Sequence, residues 1–594
     1  EHFLSDFRAI EEFFKDHARQ ISKLYAQGDA SKGDIVEHVL DSDDELRSCD
    51  QGKSYFGFRS MMTNPVLARQ FRNLAEQTSD IARRRGLDPN KTFLSLSDRL
   101  FGEANSAHGA YGRISRKLRQ VVGDHAGGGG KQIRKTLSNI RKKAFLLRDQ
   151  PPEDWDFEID IRPQFFGLME SDFWEPKAVE PFAVLSLEDA PERHRLRSEN
   201  YAKAKFLQKP LPFPGIPSQM PKRLRIGYFS ADFKEHPASY LMFKVIKCHD
   251  RSLFDVYGYS IGQPKLDKMR EKISGAFDVF RDIHSLSDIE ALKTIHNDKI
   301  DIAIDLTGYT KDSRTSLFSS RLAPVQINYL GYPGTLGADF MDYIVADPIV
   351  IPEDKRQHYS EQIMYLPHTY QPNDNTRTVS QKVQTREDMG LPSDGFVFCC
   401  FNNNYKISPK EFDIWMRLMG KVEGSVLWLL KSNKWTEHNL KREAEARGLS
   451  ADRVIFAERV ENSEHLARHR LADLFLDTFN YNAHTTASDA LWAGLPVVTK
   501  LGKGFAARVA GSLLSAVGLP ELITHDEEAY EALILKLATQ PKKLDTIKKK
   551  LEVNRLSQPL FNTEQYTKHL ENGYQQAYQR YFEGKKPDTI IVPE

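Results

Sequence analysis

Short runs of apolar, β-branched and aromatic residues recur between residues 223 and 500, and helix-like spacers separate them. Each run has the length of one strand, and such runs are typical of strands buried on both faces of a parallel sheet. The runs form two sets, the first at 223–230, 254–261, 300–306, 325–332, 343–347 and 362–366, the second at 396–402, 425–431, 453–457, 471–478 and 496–500. The pattern predicts an α/β fold with two Rossmann-like lobes and a cleft where the strand ends of the two lobes face each other.

The spacing of these runs and the composition between them divide the chain into five segments. Residues 1–150 have helical periodicity and predict an all-α N-terminal domain that binds an acceptor or a partner. Frequent prolines mark 151–222 as a connector with one or two helices, such as PERHRLRSENYAKAKF. The two lobes are predicted at 223–385 and 386–540, and 541–594 is predicted to be a helical tail that braces the first lobe.

Composition excludes several classes of function. The formal net charge is +1 over 594 residues, so overall charge favours no class of partner. The four cysteines have neither CxxC nor zinc-ligand spacing, which indicates reduced thiols in a cytoplasmic protein without a metal site. No apolar stretch approaches the ~20 residues of a membrane span. The basic stripe at 131–148 is interpreted as a solvated helix face, so neither a membrane nor a nucleic-acid partner is expected.

The segment AHTTASDALWAGLPVVT, residues 483–499, is the strongest local motif. A polar turn containing His484, Thr485 and Thr486 leads into a helix that is predicted to begin near Ser488. Unpaired backbone N–H groups at a helix start, with threonine hydroxyls beside them, can bind a pyrophosphate. Asp489 would then lie in the first turn and could hold ribose hydroxyls. An ordinary helix capped by Thr486 or Ser488, with Asp489 serving the helix dipole, explains the same residues equally well.

A second motif, FNNNYKISP, follows the run at 396–402. Lys406 lies on the loop that leaves this strand, where its charge could neutralise a leaving diphosphate. The alternative is a surface lysine before a helix that is capped by Ser408 and begins at Pro409. The two interpretations are compatible.

Two further motifs lie in the first lobe. His236 comes soon after the first strand, and Pro237 holds its backbone extended at the mouth of the sheet, where it could contact an acceptor hydroxyl or a diphosphate. In the segment 306–335, Gly331 and Gly334 bracket a turn that could bring backbone N–H groups close to a ligand.

Together, and in this order, these segments resemble the catalytic region of protein O-linked N-acetylglucosamine transferases and of the plant SPINDLY proteins. The resemblance runs from about residue 181 to the C-terminus and includes DFKEHPASYLM, GYTKDSR, RLAPVQINYLGYPGT, MDYIVAD, FNNNYKISP, SVLWLLK, AHTTASDALWAGLPVVT and SQPLFNTEQY. It implies the two-lobe GT-B fold and a metal-independent, inverting transfer from a UDP-sugar to a protein, with no cofactor.

The resemblance also implies residue roles. Lys406 matches the lysine that neutralises the leaving UDP diphosphate, and His236 matches an active-site histidine that positions the reactants. The remaining matches are contacts of the nucleotide sugar: the diphosphate turn His484, Thr485 and Thr486, the ribose carboxylate Asp489, the nucleoside neighbours His465 and Arg468, and Asn403, Tyr309, Thr310 and Gly334.

Some positions depart from the family pattern. Asn403 replaces a glutamine and could alter a nucleotide contact, and Tyr240 replaces a histidine. SPINDLY-type members carry histidine where this chain has Tyr309, which favours the N-acetylglucosamine group. The tetratricopeptide repeats that usually precede this catalytic region are absent, and residues 1–150 instead resemble a bacterial MukF/JetA-type helical family.

The resulting prediction is an enzyme that transfers N-acetylglucosamine from UDP-N-acetylglucosamine to Ser/Thr hydroxyls of intracellular proteins. Three alternatives stay open. The sugar could be fucose or glucose or the acceptor Asn, the chain could be a scaffold that senses a UDP-sugar without turnover, or it could be a sugar-phosphate epimerase with the same two-lobe architecture.

Overall fold

The computed structural model describes residues 180–206, 216–382 and 384–594. The chain divides into two compact units, at 1–175 and 176–594, and all described residues belong to the second unit. The predicted all-α domain at 1–150 and most of the predicted connector therefore lie outside the described residues.

The first lobe is built on a sheet of eight parallel strands in the order β14-β7-β6-β5-β4-β1-β2-β3. Its strands are β1 Leu224–Ser230, β2 Phe254–Ser260, β3 Val279–Asp282, β4 Ile302–Asp305, β5 Val325–Asn328, β6 Tyr343–Ala346, β7 Gln362–Tyr365 and β14 Ile590–Ile591. In the central register, Ile226 lies beside Val256 on one side and Ile302 on the other. Every residue of β4 and β5 is buried, as expected for parallel strands covered on both faces.

Among the described residues, four helices precede or connect these strands: α1 Pro191–Lys205, α2 Pro237–Cys248, α3 Lys268–Ser274 and α4 Asp288–Asp298. In each of the last three, the N-cap residue just before the helix accepts a hydrogen bond with its side chain from a first-turn N–H. These N-cap residues are His236, Asp267 and Ser287. Helix α1, which the sequence predicted within the connector, packs against the first lobe so closely that a Cβ at Gly337 would lie 2.3 Å from the backbone nitrogen of Glu199.

The second lobe has a sheet of six parallel strands in the order β10-β9-β8-β11-β12-β13. Its strands are β8 Val397–Cys400, β9 Val426–Leu430, β10 Val454–Ala457, β11 Leu474–Leu476, β12 Val497–Lys500 and β13 Ile523–Thr524. Its helices are α5 Pro409–Lys421, α6 Lys434–Ala446, α7 Asn462–Arg468, α8 Thr485–Trp492, α9 Val509–Ala516, α10 Glu527–Thr539 and α11 Pro541–Ser557. The order reverses between β8 and β11, and such a switch point is where an open α/β sheet forms its ligand crevice.

The C-terminal helix α12, Thr563–Phe582, packs on the first lobe. Its buried Glu571 accepts a hydrogen bond from the ring of His249 at 2.9 Å, and its Tyr574 hydroxyl lies 3.3 Å from that of Tyr228. The final strand β14 then extends the first sheet beside β7.

The structure corrects the predicted tail in two respects. The tail is not wholly helical, because it ends in β14. Helix α11 packs on the second lobe, where Arg555 donates to the carbonyl of Trp492 at 2.7 Å, so the crossing to the first lobe begins after residue 557 and not at 541. In the described ranges, no helix is both long and apolar enough to cross a membrane.

Candidate active site

Lys406 lies on a short 3-10 turn after β8, with its amine directed at the segment before α8. The amine donates to the backbone carbonyl of Asn482 at 3.0 Å and lies 3.7 Å from the ring centre of Tyr481. Lys406 is 7 % exposed, so the interpretation of this residue as a surface lysine is wrong. The motifs FNNNYKISP and AHTTASDALWAGLPVVT, 76 residues apart along the chain, therefore meet at one place.

The charged form of Lys406 is destabilised by burial of its amine. Burial lowers the pKa of this lysine to about 7, against the opposing effect of the neighbouring Asp477. Burial likewise raises the pKa of Asp477 to about 7, although Thr499, Ala483 and Thr478 all donate hydrogen bonds to its carboxylate. Within the described ranges, no carboxylate forms an ion pair with Lys406. A buried ammonium whose direct partners are a carbonyl and an aromatic ring suits an anionic ligand.

Helix α8 begins at Thr485, three residues earlier than predicted. His484 is its N-cap residue, not Thr486 or Ser488, and its carbonyl accepts from the N–H groups of Ala487 and Ser488. The N–H groups of Thr485 and Thr486 precede the first intrahelical hydrogen bonds. Asp489 is the fifth residue of α8, beyond the first turn, so its predicted service to the helix dipole is wrong.

The imidazole of His484 is committed to the protein. Its Nε2–H donates to the carbonyl of Ala506 at 3.0 Å, which leaves Nδ1 as an acceptor. Burial and the nearby charge of Lys406 lower the pKa of His484 well below its usual value, so the ring is neutral. A diphosphate at this turn would meet backbone N–H groups and the Thr485 hydroxyl, because the Thr486 hydroxyl already donates to Asn402 and the imidazole offers no free donor.

Asn402 joins the two motifs and was not predicted as a site residue. Its side-chain oxygen accepts a hydrogen bond from the Thr486 hydroxyl, and its amide donates to the Thr478 hydroxyl at 2.8 Å. Asn402 is the second residue after β8 and is fully buried, so its amide fixes the loop that carries Lys406 against the start of α8. The neighbouring Asn403, which was predicted to bind the nucleotide, is exposed.

Asp489 lies in a buried polar cluster with Arg377 and His465. Arg377 Nη1 donates to Asp489 Oδ1, while His465 Nε2 lies 3.9 Å from Asp489 Oδ2. Arg377 belongs to the segment that joins the lobes, and the same segment supplies Gln371, whose amide donates to the Ser488 hydroxyl at 2.7 Å. Arg377 was not predicted as a site residue, because it lies outside every strand or helix pattern of the sequence.

His465 and Arg468 lie on α7 beside the ring of Phe401. The ring centres of His465 and Phe401 are 5.3 Å apart, and the Arg468 guanidinium lies 4.5 Å from the Phe401 ring centre. Burial lowers the pKa of His465 to about 3 and that of Arg468 to about 10. The structure thus brings His465 and Asp489 together, as expected if both border one nucleoside.

In the first lobe, His236 caps α2. Its Nδ1 accepts a hydrogen bond from the N–H of Ala238 at 3.3 Å and lies 3.5 Å from the Asp232 carboxylate. Burial lowers the pKa of His236 from its ordinary value. The side chain is still 41 % exposed, so the ring can be reached by a ligand.

The other predicted contacts of the first lobe have structural partners. The ring of Tyr309 is buried and its hydroxyl donates to the carbonyl of Leu336 at 2.5 Å, while the Thr310 hydroxyl donates to the carbonyl of Thr307 at 2.9 Å. Gly334 is buried, and its carbonyl accepts from Asn328 at 3.0 Å. A Cβ at Gly331 would lie 2.0 Å from the carbonyl oxygen of Leu306, so packing alone already requires this glycine.

Two protein families match different parts of this chain. A family model described as "Glycosyl transferase family 41" matches residues 201–381 and 371–570. Residues 1–195 match another family, described as "Protein of unknown function (DUF3375)", while the resemblance of 1–150 to MukF/JetA-type proteins stays a prediction.

The chain is 39 % identical over 379 residues to the Arabidopsis thaliana "Probable UDP-N-acetylglucosamine--peptide N-acetylglucosaminyltransferase SEC", a match that covers 63 % of this chain and 39 % of the relative. It is 32 % identical over 378 residues to the Petunia hybrida protein of the same description named SPINDLY, with 62 % of this chain and 40 % of the relative covered. The chain thus spans about two fifths of the length of these curated relatives.

Among solved structures, a mutant of the Thermobaculum terrenum O-GlcNAc transferase aligns with a TM-score of 0.64 and 24 % identity, over 98 % of this chain and 99 % of that chain. This likeness confirms the GT-B fold. With the family match over residues 201–570, it confirms the resemblance that the motifs indicated, and the chain belongs to glycosyl transferase family 41.

Proposed function

We propose that this chain transfers N-acetylglucosamine from UDP-N-acetylglucosamine to Ser/Thr hydroxyls of proteins, with inversion at the anomeric carbon. The family match and the names of the relatives support the donor and the peptide acceptor. The observation that carries the proposal is the position of Lys406, buried and unpaired with any carboxylate in the described part of the chain, at the start of α8.

In this proposal the UDP diphosphate binds between the Lys406 amine, the N–H groups of Thr485 and Thr486, and the Thr485 hydroxyl, while the Thr486 hydroxyl holds the turn by its hydrogen bond to Asn402. The acceptor oxygen attacks the anomeric carbon as the bond from that carbon to the β-phosphate oxygen breaks, and the hydroxyl proton is lost. Negative charge develops on the departing UDP, where the ammonium and the helix start stabilise it. These groups are already in place, so no divalent cation is required for this charge.

The remaining predicted residues receive supporting roles. Asp489 holds the ribose, His465 and Arg468 border the nucleoside, and His236 positions the reactants from the first lobe. Tyr309 and Thr310 act through the backbone that they fix, because their hydroxyls donate to carbonyls of the protein itself. The cytoplasmic location stays a prediction.

The test is a transfer assay with the purified chain, UDP-N-acetylglucosamine and a library of Ser/Thr peptides, with and without EDTA. We expect release of UDP together with a peptide mass increase of one N-acetylhexosamine on Ser or Thr, unchanged by EDTA. UDP-glucose and GDP-fucose serve as competing donors, and Asn-containing peptides as competing acceptors.

Several outcomes would contradict the proposal. Binding of UDP-N-acetylglucosamine without turnover on any peptide or host-lysate protein would favour a sensor. Release of UDP with an altered free sugar and no acceptor would favour an epimerase. Transfer only from GDP-fucose or UDP-glucose would show that the donor is not UDP-N-acetylglucosamine. Transfer only to Asn would show that the acceptor is not a Ser/Thr hydroxyl.

A further inference from the structure

Arg377 is a buried cation at the proposed ribose site, although it comes from the segment between the lobes. Its side chain is 4 % exposed and that of its partner Asp489 is 7 % exposed. The backbone carbonyl of Arg377 accepts from the indole of Trp492 at 3.3 Å, so the second lobe fixes both the main chain and the side chain of this residue.

The pairing between Arg377 and Asp489 leaves specific groups unused. Arg377 binds only Oδ1 of Asp489, and Oδ2 is 3.9 Å from the ring nitrogen of His465, beyond hydrogen-bond distance. Arg377 Nε and Nη2 are buried, and neither has a hydrogen-bond partner among the residues that the structure describes. Buried donors without partners are costly, and native structures rarely keep them unless a ligand or water uses them.

The unused groups match the chemistry of a vicinal diol. The cluster offers one carboxylate acceptor, Asp489 Oδ2, next to two guanidinium donors of Arg377. A hydroxyl both donates and accepts, so two adjacent hydroxyls can donate to the carboxylate and accept from the guanidinium at once. A deoxyribose lacks one of these two hydroxyls and would leave part of the cluster unpaired.

We propose that Arg377 is a positioning and specificity residue for the ribose of the sugar nucleotide. It compensates the buried charge of Asp489, holds the carboxylate with Oδ2 turned to the ligand, and makes the site select a ribose diol. This inference rests on the proposed function, because it assumes that a uridine nucleotide binds beside Asp489. Arg377 is carried by the interlobe segment, so the ribose site also depends on how that segment is held.

The test compares three ligands by calorimetry: UDP, its 2′-deoxy form and its 3′-deoxy form. For the unmodified protein we expect UDP to bind about 10- to 100-fold more tightly than the deoxy forms, the effect of hydrogen bonds to charged groups. Arg377→Gln should weaken UDP binding by a similar factor and change binding of at least one deoxy form by less than about threefold. The preference for ribose would then approach unity.

Arg377→Lys retains a cation without the planar pair of donors and should restore part of the preference. The matched control is Lys382→Ala, which removes an exposed lysine of the same segment that pairs with Glu464 on α7. It should leave the preference unchanged. If a variant folds incompletely, the ratio of two dissociation constants still holds, because it does not depend on the fraction of active protein.

A double-mutant cycle with Asp489→Asn separates positioning from general packing. Arg377→Gln added to Asp489→Asn should cost at least about threefold less in UDP affinity than it costs in the unmodified protein, because part of the effect of Arg377 is to hold this carboxylate. An unchanged ribose preference in Arg377→Gln, or additive losses in the cycle, would overturn the inference. Failure of the unmodified protein to bind UDP at all would instead refute the proposed function.

Discussion

Lys406 is a buried lysine that forms no ion pair with a carboxylate among the described residues. A lysine that is 7 % exposed loses most of its hydration, and burial brings its pKa to about 7. Its neighbours Asn482 and Tyr481 hold the amine in place without neutralising it. An anionic ligand would therefore gain more from this amine than from a solvated lysine.

Replacement of Lys406 by Met removes the charge and keeps most of the side-chain volume. We expect a loss of ~2–4 kcal/mol in transition-state stabilisation, as for a preorganised donor, which lowers kcat/KM by about 30- to 900-fold. Initial rates of UDP release measure it. Lys410→Met, at an exposed lysine of α5, is the matched control and should retain full activity. Equal rates for both variants would rule out the role of Lys406.

The pKa of Lys406 also predicts how donor affinity depends on pH. Below about pH 7 the Lys406 amine is already protonated, so binding of the sugar nucleotide takes up no proton. Above pH 7 the free amine is neutral, so binding must be accompanied by the uptake of one proton from solvent. The affinity for UDP-N-acetylglucosamine, whose phosphates do not titrate in this range, should fall by up to about tenfold per pH unit as the pH rises from 7. Calorimetry between pH 6 and 9 measures this slope.

In Lys406→Met the slope should flatten. Asp477 and Glu411, whose pKa values burial raises to about 7, also titrate near the site, and the difference between the two proteins isolates the lysine. An identical slope in the variant would assign the titration to the carboxylates.

At the residue scale, sequence alone made Lys406 and Thr486 candidates, because both come after a strand and a parallel sheet presents its ligands at the carboxyl ends of strands. Their contact with a nucleotide stays a prediction. Arg377 and Asn402 were missed because their importance comes from long-range contacts, over 112 and 84 residues, that no local pattern reports.

At the scale of elements, loops after strands are shaped by close backbone approaches. At Gly331 a Cβ would lie 2.0 Å from the Leu306 carbonyl oxygen, and backbone cannot move aside as a side chain can. The turn after β5 is thereby held against the end of β4. Packing between these two loops thus fixes their position at the carboxyl ends of β4 and β5.

Gly331→Ala should lower the free energy of unfolding by ~1–3 kcal/mol, the usual cost of overpacking, or more if the backbone cannot shift. Gly420→Ala is the control, since Gly420 lies in α5 with no atom within 4 Å of an added Cβ. It should raise stability by ~0.5–1 kcal/mol, because alanine favours helix over glycine. Urea unfolding followed by circular dichroism measures both, and equal effects would contradict the packing argument.

The elements that sequence predicted are those with long buried runs. Strands β3, β13 and β14 were missed because they are short and only partly buried, so they lack a clear apolar pattern. The start of α8 was placed three residues late, because His484 caps it without a side-chain hydrogen bond and so leaves no capping signature.

At the scale of the whole molecule, α12 follows the last helix of the second lobe along the chain and packs on the first lobe. Its Tyr566 hydroxyl contacts both the Tyr329 hydroxyl and the carbonyl of Tyr370. The buried residues Leu570, Tyr574 and Tyr578 continue this contact along the helix. The strand β14 comes after α12 and pairs with β7, so residues near the end of the chain complete the first sheet.

A chain that ends at Ser557 should fail to form a cooperative first lobe. Removal of α12 and β14 deletes the large buried side chains Tyr566, Leu570, Tyr574 and Tyr578, each contributing ~1.5–3 kcal/mol, which together rival the ~5–15 kcal/mol stability of a domain. Near-UV circular dichroism and heat unfolding report the loss. A chain that ends at Val592, which lacks two exposed residues only, should unfold like the full chain. Native-like melting of the shorter chain would contradict the assignment.

We expect the Lys406 amine and the start of α8 to bind one diphosphate. A crystal structure of this protein with UDP tests this directly. It should show β-phosphate oxygens within hydrogen-bond distance of Lys406 Nζ and of the N–H groups of Thr485 or Thr486. A structure with the diphosphate away from both would contradict this expectation.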